Sequence, residues 1–410
     1  MKVFAMRAFL VKIYAFRLLE MFIPVYPVYL IMFTDYGLSP VDIAWVFVAW
    51  SIALFTLELP SGALADRYSR RKVLIFGQIL NVLGLLCWLF YKSFWGFFFG
   101  LVLWGAKQAM MSGTFEAFVY DELKALKCED QYAKVIGRNR AVMSVGLMIS
   151  GLAASPMVLL GYDATIIATI VSAAASGLVL LTFSEVRAYG HVAEEGGYLR
   201  TLGTGLRQAV TIPGVLRMLV FMMISYGFLE GMAEFFPLLI RQSGLPDTAV
   251  GLYLAAIAGL QALAFYVSHR FEHYPNRFFH VLLVGAGLCV IASAWILTPA
   301  ALLLFCFYTA ATHLIFTVYD AKMQHRLPSA TRATITSVRG TFGEIIVIAT
   351  YMSYGLLAEA KGAPFGFLVM GGVIVAIGVG YLANAVFSFC QRARRRKNFL
   401  LSGFFFIFYL

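Results

Sequence analysis

Ser61-Gly62-Ala63-Leu64-Ala65-Asp66-Arg67-Tyr68-Ser69-Arg70-Arg71-Lys72-Val73-Leu74 is a knot of charge between two long apolar runs. An apolar run of about 20 residues crosses a bilayer as a helix, so the chain leaves lipid at this knot and turns back into it. Gly62 and Ala63 are small enough for a neighbouring helix to pack close. Asp66 can face a helix N-terminus or a guanidinium, while Arg67, Arg70, Arg71 and Lys72 hold the turn on the cytoplasmic side.

The rest of the chain agrees with a membrane setting. Of 410 residues, 61% are hydrophobic and only 13% charged, too apolar for a surface that water must wet. The net charge of +11 would suggest nucleic acid on a soluble chain. Here the cations sit in short loops, where they orient the protein against lipid, and no nucleic-acid partner is expected. Cys87, Cys289 and Cys306 lie in apolar runs and Cys128 and Cys390 beside basic clusters, which argues against a disulfide framework or a zinc site. The N-terminus runs into a helix without a small-residue cleavage site and reads as a first span. The lack of any Asn-x-Ser/Thr acceptor favours a bacterial source.

About twelve apolar runs follow one another, at 8–33, 42–64, 72–92, 94–120, 138–161 and 163–184, then 214–241, 247–269, 277–297, 299–321, 333–358 and 364–390. Lys and Arg crowd one side of this series, which places both termini in the cytoplasm of a multi-pass inner-membrane protein. The polar, glycine-rich break at 185–213 reads as a cytoplasmic linker between two pseudo-symmetric six-helix halves, 1–184 and 214–390. Residues 391–410 are a basic and then apolar cytoplasmic tail, too short to span and suited to the interface. The expected fold is an all-α membrane protein.

The pattern Gly62-x-Leu64-Ala-Asp66-Arg67-x-x-Arg70-Arg71 resembles the loop between helices 2 and 3 of major facilitator superfamily transporters, with Ser69 where that family usually has glycine. The resemblance implies the twelve-helix fold of that family and an interdomain latch at the cytoplasmic gate for Asp66, Arg67 and Arg70. It also implies pairing of these arginines with at least one of Glu58, Glu116, Asp121 and Glu122, Glu58 being the first choice. The stretch from Glu116 to Leu123 is similar to the helix 4 end of bacterial members. Two efflux signatures match poorly: aligned on Gly113, the helix 4 arginine of many proton-driven exporters falls on Ala109, and Gly146, Gly151 and Ser155-Pro156 only loosely follow the antiporter pattern in helix 5.

Ionisable residues at bilayer depth are expensive and therefore functional candidates. Arg17 and Glu20 share a face of the first span, with Glu20 near the midplane, as a proton site or a structural ion pair. Pro24 and Pro27 loosen the helix beside them. Lys107, midway along the fourth span, is expected to face the central cavity and pair with a carboxylate such as Glu20. Glu230 and Glu234 stand four apart in the seventh span, a spacing that favours a proton site. No His or Cys within a turn completes a metal site there, and neither metal nor cofactor is expected. His313 in the tenth span is a packing residue or a relay. Glu344 lies near mid-depth in the eleventh, and Arg339, five residues earlier, points to another face and belongs near the cytoplasmic gate.

These features predict a monomeric secondary transporter working by alternating access, not an enzyme. Protons are the expected driving ion, because helices 1, 4, 7 and 11 carry buried carboxylates and no Gly-x4-Gly-Lys-Ser/Thr loop is present. The expected activity is export of an amphipathic small organic molecule, to which aromatic walls are suited. Uptake of a polar solute or siderophore-like chelate is the same-class rival. A membrane receptor or enzyme would need a catalytic cluster or soluble domain that the sequence lacks.

Overall fold

The first expected span is two helices: α1 (Lys2–Met21) stops before Pro24, and α2 (Tyr29–Asp35) restarts after Pro27. Proline lacks an amide hydrogen and clashes with the preceding turn, and in lipid every freed backbone group needs a partner. Those partners come from α7 (Tyr132–Met157) and α8 (Tyr162–Leu181). Ser150 Oγ accepts from the Ile23 amide at 2.6 Å and donates to the Met21 carbonyl at 2.9 Å. Thr169 Oγ1 accepts from the Val25 amide at 3.2 Å, and Ser172 Oγ donates to the Leu19 carbonyl at 2.7 Å. Three hydroxyls thus make the break tolerable inside a membrane.

The structure is a computed structural model that describes residues 2–67, 69–183, 207, 211–212, 214–327 and 329–384, without the side chains of 2, 3, 59, 63, 66, 67, 133, 329–334, 336 and 337. The first half continues through α3 (Pro40–Arg67), α4 (Arg70–Phe90), α5 (Phe94–Met111) and α6 (Thr114–Ala125). The fourth span is broken between α5 and α6 at Gly113, whose φ of +68° suits a residue without a Cβ. The second half holds α9 (Val215–Ala233), α10 (Phe236–Gln242), α11 (Thr248–Phe271), α12 (Asn276–Ile296), α13 (Pro299–Arg326), α14 (Ser329–Lys361) and α15 (Ala363–Asn384). The seventh span breaks at Glu234-Phe235, just ahead of Pro237.

Among the described residues, ten helices are long and apolar enough to cross a membrane. α1, with Arg7, Lys12, Arg17 and Glu20, and α5, with Lys107 and Gln108 in its last turns, are not among the ten. The two expected spans that fall short are therefore interrupted and charged. The expected linker at 185–213 and the tail at 391–410 lie outside the described residues, apart from 207, 211 and 212.

Within the first half α3 and α4 pack on α5, α4 on α8, and α1 on α7 and α8. Within the second, α9 packs on α13 and α14, and α13 on α11 and α12. Among the described residues the halves meet along two main seams, α3 with α14 and α7 with α11, and at a smaller contact of α2 with α10. At the second seam the backbones touch: a Cβ on Gly251 would stand 2.2 Å from the Gly151 carbonyl oxygen, and one on Gly151 would stand 2.6 Å from that of Gly251. Only glycine fits there.

Candidate functional site

The breaks in the first and seventh spans face each other across the halves. Tyr26, in the segment between α1 and α2, donates to Glu234 Oε1 at 3.2 Å, and Tyr29 at the start of α2 donates to Glu234 Oε2. Glu234 caps the C-terminal end of α9, one turn beyond Glu230. Together with Phe47, Trp50, Leu101, Trp104 and Tyr351 these residues line a cavity. Tyr29 is held upright by stacking between Tyr26 and Trp88, with ring centroids 5.7 and 5.8 Å away. Phe47 closes the seam by meeting Tyr351 at 5.1 Å and Phe235 at 5.5 Å.

A second cluster lies wholly within the first half. Glu20 accepts from Arg17 at 2.8 Å through Oε2 and from Lys107 through Oε1. The sequence expectation that Lys107 would meet Glu20 is matched by this contact. All three are buried, at 8% exposure for Arg17, 3% for Glu20 and 1% for Lys107. The Arg17 guanidinium also lies 3.8 Å from the centroid of the Phe115 ring. Two cations and one anion packed this way are sealed from the cavity, not offered to it, and Lys107 does not reach the cavity face as the sequence suggested.

Other candidate residues are more scattered. Glu344 on α14 faces Ser51 on α3 across the first seam, and its Oε2 is buried without a hydrogen-bond partner. Arg339 does not pair with Glu344, as the spacing predicted; it pairs with Asp320 and lies 4.9 Å over Phe316. His313 contacts the Thr309 carbonyl through Nδ1 at 2.7 Å and meets Phe265 of α11 edge-on. Among the described residues no group of three His, Cys, Asp or Glu side chains is placed to hold a metal ion.

Around the basic loop, the Asp66 and Arg67 side chains lie outside the described residues. Arg70 pairs with Asp121 of α6 and donates to the Ala117 carbonyl at 3.0 Å, and Arg71 donates to the Phe183 carbonyl. Glu58, the first choice to meet these arginines, instead accepts from Ser112 Oγ at 2.9 Å. Glu116 lies on the first turn of α6 near Tyr132 of α7. The close helix contact expected at Gly62 is not made: a Cβ there would meet nothing within 4 Å, because α3 ends beside open space.

Sequence reasoning missed the contacts at the opposite end of the bundle. Asp35 at the end of α2 pairs with Arg241 of α10, accepts from Tyr162 at 2.5 Å, and so ties the halves together; Arg241 also stands 3.6 Å from Asp247. Glu359 accepts from the Val41 amide at 3.1 Å across the first seam. The available signal was positional: Asp35 and Arg241 stand near the ends of the short helices that complete the broken spans of the two halves. By contrast, at the end where α1 begins, the ion pairs among the described side chains stay within one half: Arg70–Asp121 in the first, Arg339–Asp320 and His325–Glu272 in the second.

Two helical halves meeting around a carboxylate-bearing cavity, with interrupted helices at its walls, define a secondary membrane transporter. Residues 9–351 match the model of the Major Facilitator Superfamily, and the chain belongs to that superfamily. The crystal structure of the nucleoside transporter NupG superposes with a TM-score of 0.73 at 15% identity, covering 91% of this chain and 98% of that one. A bacterial homologue of the human lysosomal transporter Spinster, in an inward-facing and unoccupied conformation, gives 0.72 at 15% identity over 95% of this chain and 98% of that one. A D-xylose–proton symporter gives 0.69 at 12% identity over 92% and 97%. At these identities the likeness is one of fold. No curated protein matches the chain.

Proposed function

We propose that this transporter is a proton-coupled exporter of an amphipathic small organic molecule, working as a monomer in the cytoplasmic membrane by alternating access. The observation that carries the proposal is the contact of Tyr26 and Tyr29 in one half with Glu234 in the other. A carboxylate that two hydroxyls hold when the halves touch loses both donors when they part, so its proton affinity is tied to the rocking motion. Glu230 and Glu344 are further stations for the proton. The Arg17–Glu20–Lys107 cluster, two cations around one carboxylate, holds a fixed charge beside this path.

With both termini cytoplasmic, the end joined by Asp35–Arg241 faces outward, and the conformation is open to the cytoplasm. Asp66, Arg67, Arg70 and Arg71, with Gly62, Glu58, Glu116 and Arg339 near them, form the gate that closes in the other state. His313 supports the packing of α13 against α11. The test uses inverted membrane vesicles from cells making the protein, acidified inside and followed by acridine orange. Amphipathic compounds should release the trapped dye with wild-type protein and not with Glu234→Gln. Compound accumulation that continues after the pH gradient is collapsed would sink proton coupling.

A further inference from the structure

We infer that the cavity is selective for organic cations, its aromatic walls taking an ammonium head against Glu234; this rests on the cavity being the transport site proposed above. Six of its eight lining residues, Tyr26, Tyr29, Phe47, Trp50, Trp104 and Tyr351, are aromatic, and Glu234 is the one charged side chain among them. Aromatic faces carry negative quadrupole density, and a box of them is the chemistry that recognises ammonium groups.

The alternatives fit less well. An anion would meet a carboxylate at close range, and the two tyrosine hydroxyls nearest to it already donate to Glu234. The basic residues of the neighbouring cluster cannot help, since Lys107 is 1% exposed, Arg17 is 8% exposed, and both are committed to Glu20. A polyhydroxylated neutral solute needs many donors and acceptors, and this lining offers Glu234, three tyrosine hydroxyls, two of which already donate to Glu234, and the indole N–H groups of Trp50 and Trp104. A permanent cation gains from both the carboxylate and the rings without needing a hydrogen bond.

The experiment is equilibrium dialysis on the purified full-length protein in detergent with three ring compounds of similar size: benzyltrimethylammonium, benzyl alcohol and phenylacetate. The cation should bind saturably, the alcohol roughly tenfold more weakly, and phenylacetate not at all. Glu234→Gln and Trp50→Leu should each weaken cation binding roughly tenfold. Because either variant can perturb folding, Tyr351→Phe and Tyr351→Leu are compared as well: the first keeps the π face and should keep affinity, the second should lose it. Phenylacetate binding as tightly as the cation, no saturable cation binding to the wild type, or full cation affinity in Glu234→Gln would overturn the inference. If the cation binds with these preferences but vesicles do not move it in response to a pH gradient, the transport reading falls and the cation site stands.

Discussion

Tyr29 and Glu234, 205 residues apart in the chain, share a hydrogen bond across the line between the two halves. Its ring is packed independently of its hydroxyl, since it stacks on Trp88 and meets Phe33 and Phe47 edge-on. Tyr29→Phe therefore removes the bond and keeps the packing. A hydrogen bond to a charged group contributes about 1.5–3 kcal/mol, so the equilibrium should move roughly tenfold or more toward separated halves. Spin labels on Tyr36 and Gln242 should report a longer distance in the variant, and an unchanged distance distribution would show that the bond does not bias the two states.

The Arg17–Glu20–Lys107 cluster predicts an asymmetry between two substitutions. Glu20→Gln leaves two buried cations with no anion, and removing one member of a buried pair costs about 3–5 kcal/mol. Lys107→Met leaves Arg17 and Glu20 as a balanced pair. Thermal unfolding in detergent should show Glu20→Gln far less stable than Lys107→Met. Equal losses would mean that the three charges do not act as a unit.

At the α7–α11 seam, Gly251→Ala forces a methyl against the Gly151 carbonyl, and overpacking of this kind costs about 1–3 kcal/mol. The seam should open at that point, lengthening the distance between spin labels on the exposed Leu159 and Leu252. A variant as stable as wild type with an unchanged distance would contradict the close approach.

Glu122, on α6 beyond the apolar part of the fourth span, has its carboxyl pushed up to about 7 by burial and by the neighbouring Asp121 charge, against the pull of Lys12 and Arg71. A carboxyl whose folded value is raised binds more protons folded than unfolded, so its contribution falls as pH rises from about 4.5 and levels off above about 7. Glu122→Gln should flatten the loss of thermal stability over that interval and make the protein more stable than wild type at pH above about 7.5. A variant whose midpoint falls with pH as steeply as the wild type would remove Glu122 from this role.

The membrane fold was legible because hydropathy and loop charge act over whole spans, so the apolar run from Val73 to Phe90 needs no tertiary context to be read. The Glu20–Lys107 contact was legible for a related reason: two opposite charges at similar depth in lipid have few other partners. The cavity was not. Nothing in a 3.6-residue period shows that the first span breaks at Pro24, because the cost is met by Ser150, Thr169 and Ser172, more than 120 residues away. Once the helix breaks, Tyr26 and Tyr29 turn from wall residues into ligands of Glu234. The partner of Arg70 was legible as one of four carboxylates but not which one: Asp121 pairs with it, and the first choice, Glu58, does not, since the turn at Gly113 directs α6 so that Asp121 reaches it.

The glycine crossing at Gly151 and Gly251 bears on how fast such a machine can run. A pivot where main chain meets main chain, flanked only by the small side chains of Ser155 and Ala255, has few rotamers to rearrange, so tilting about it meets little friction. The barrier to each cycle then falls on the polar fastenings at the far end, Asp35 with Arg241 and Tyr29 with Glu234, which makes turnover a matter of unlatching and not of bending.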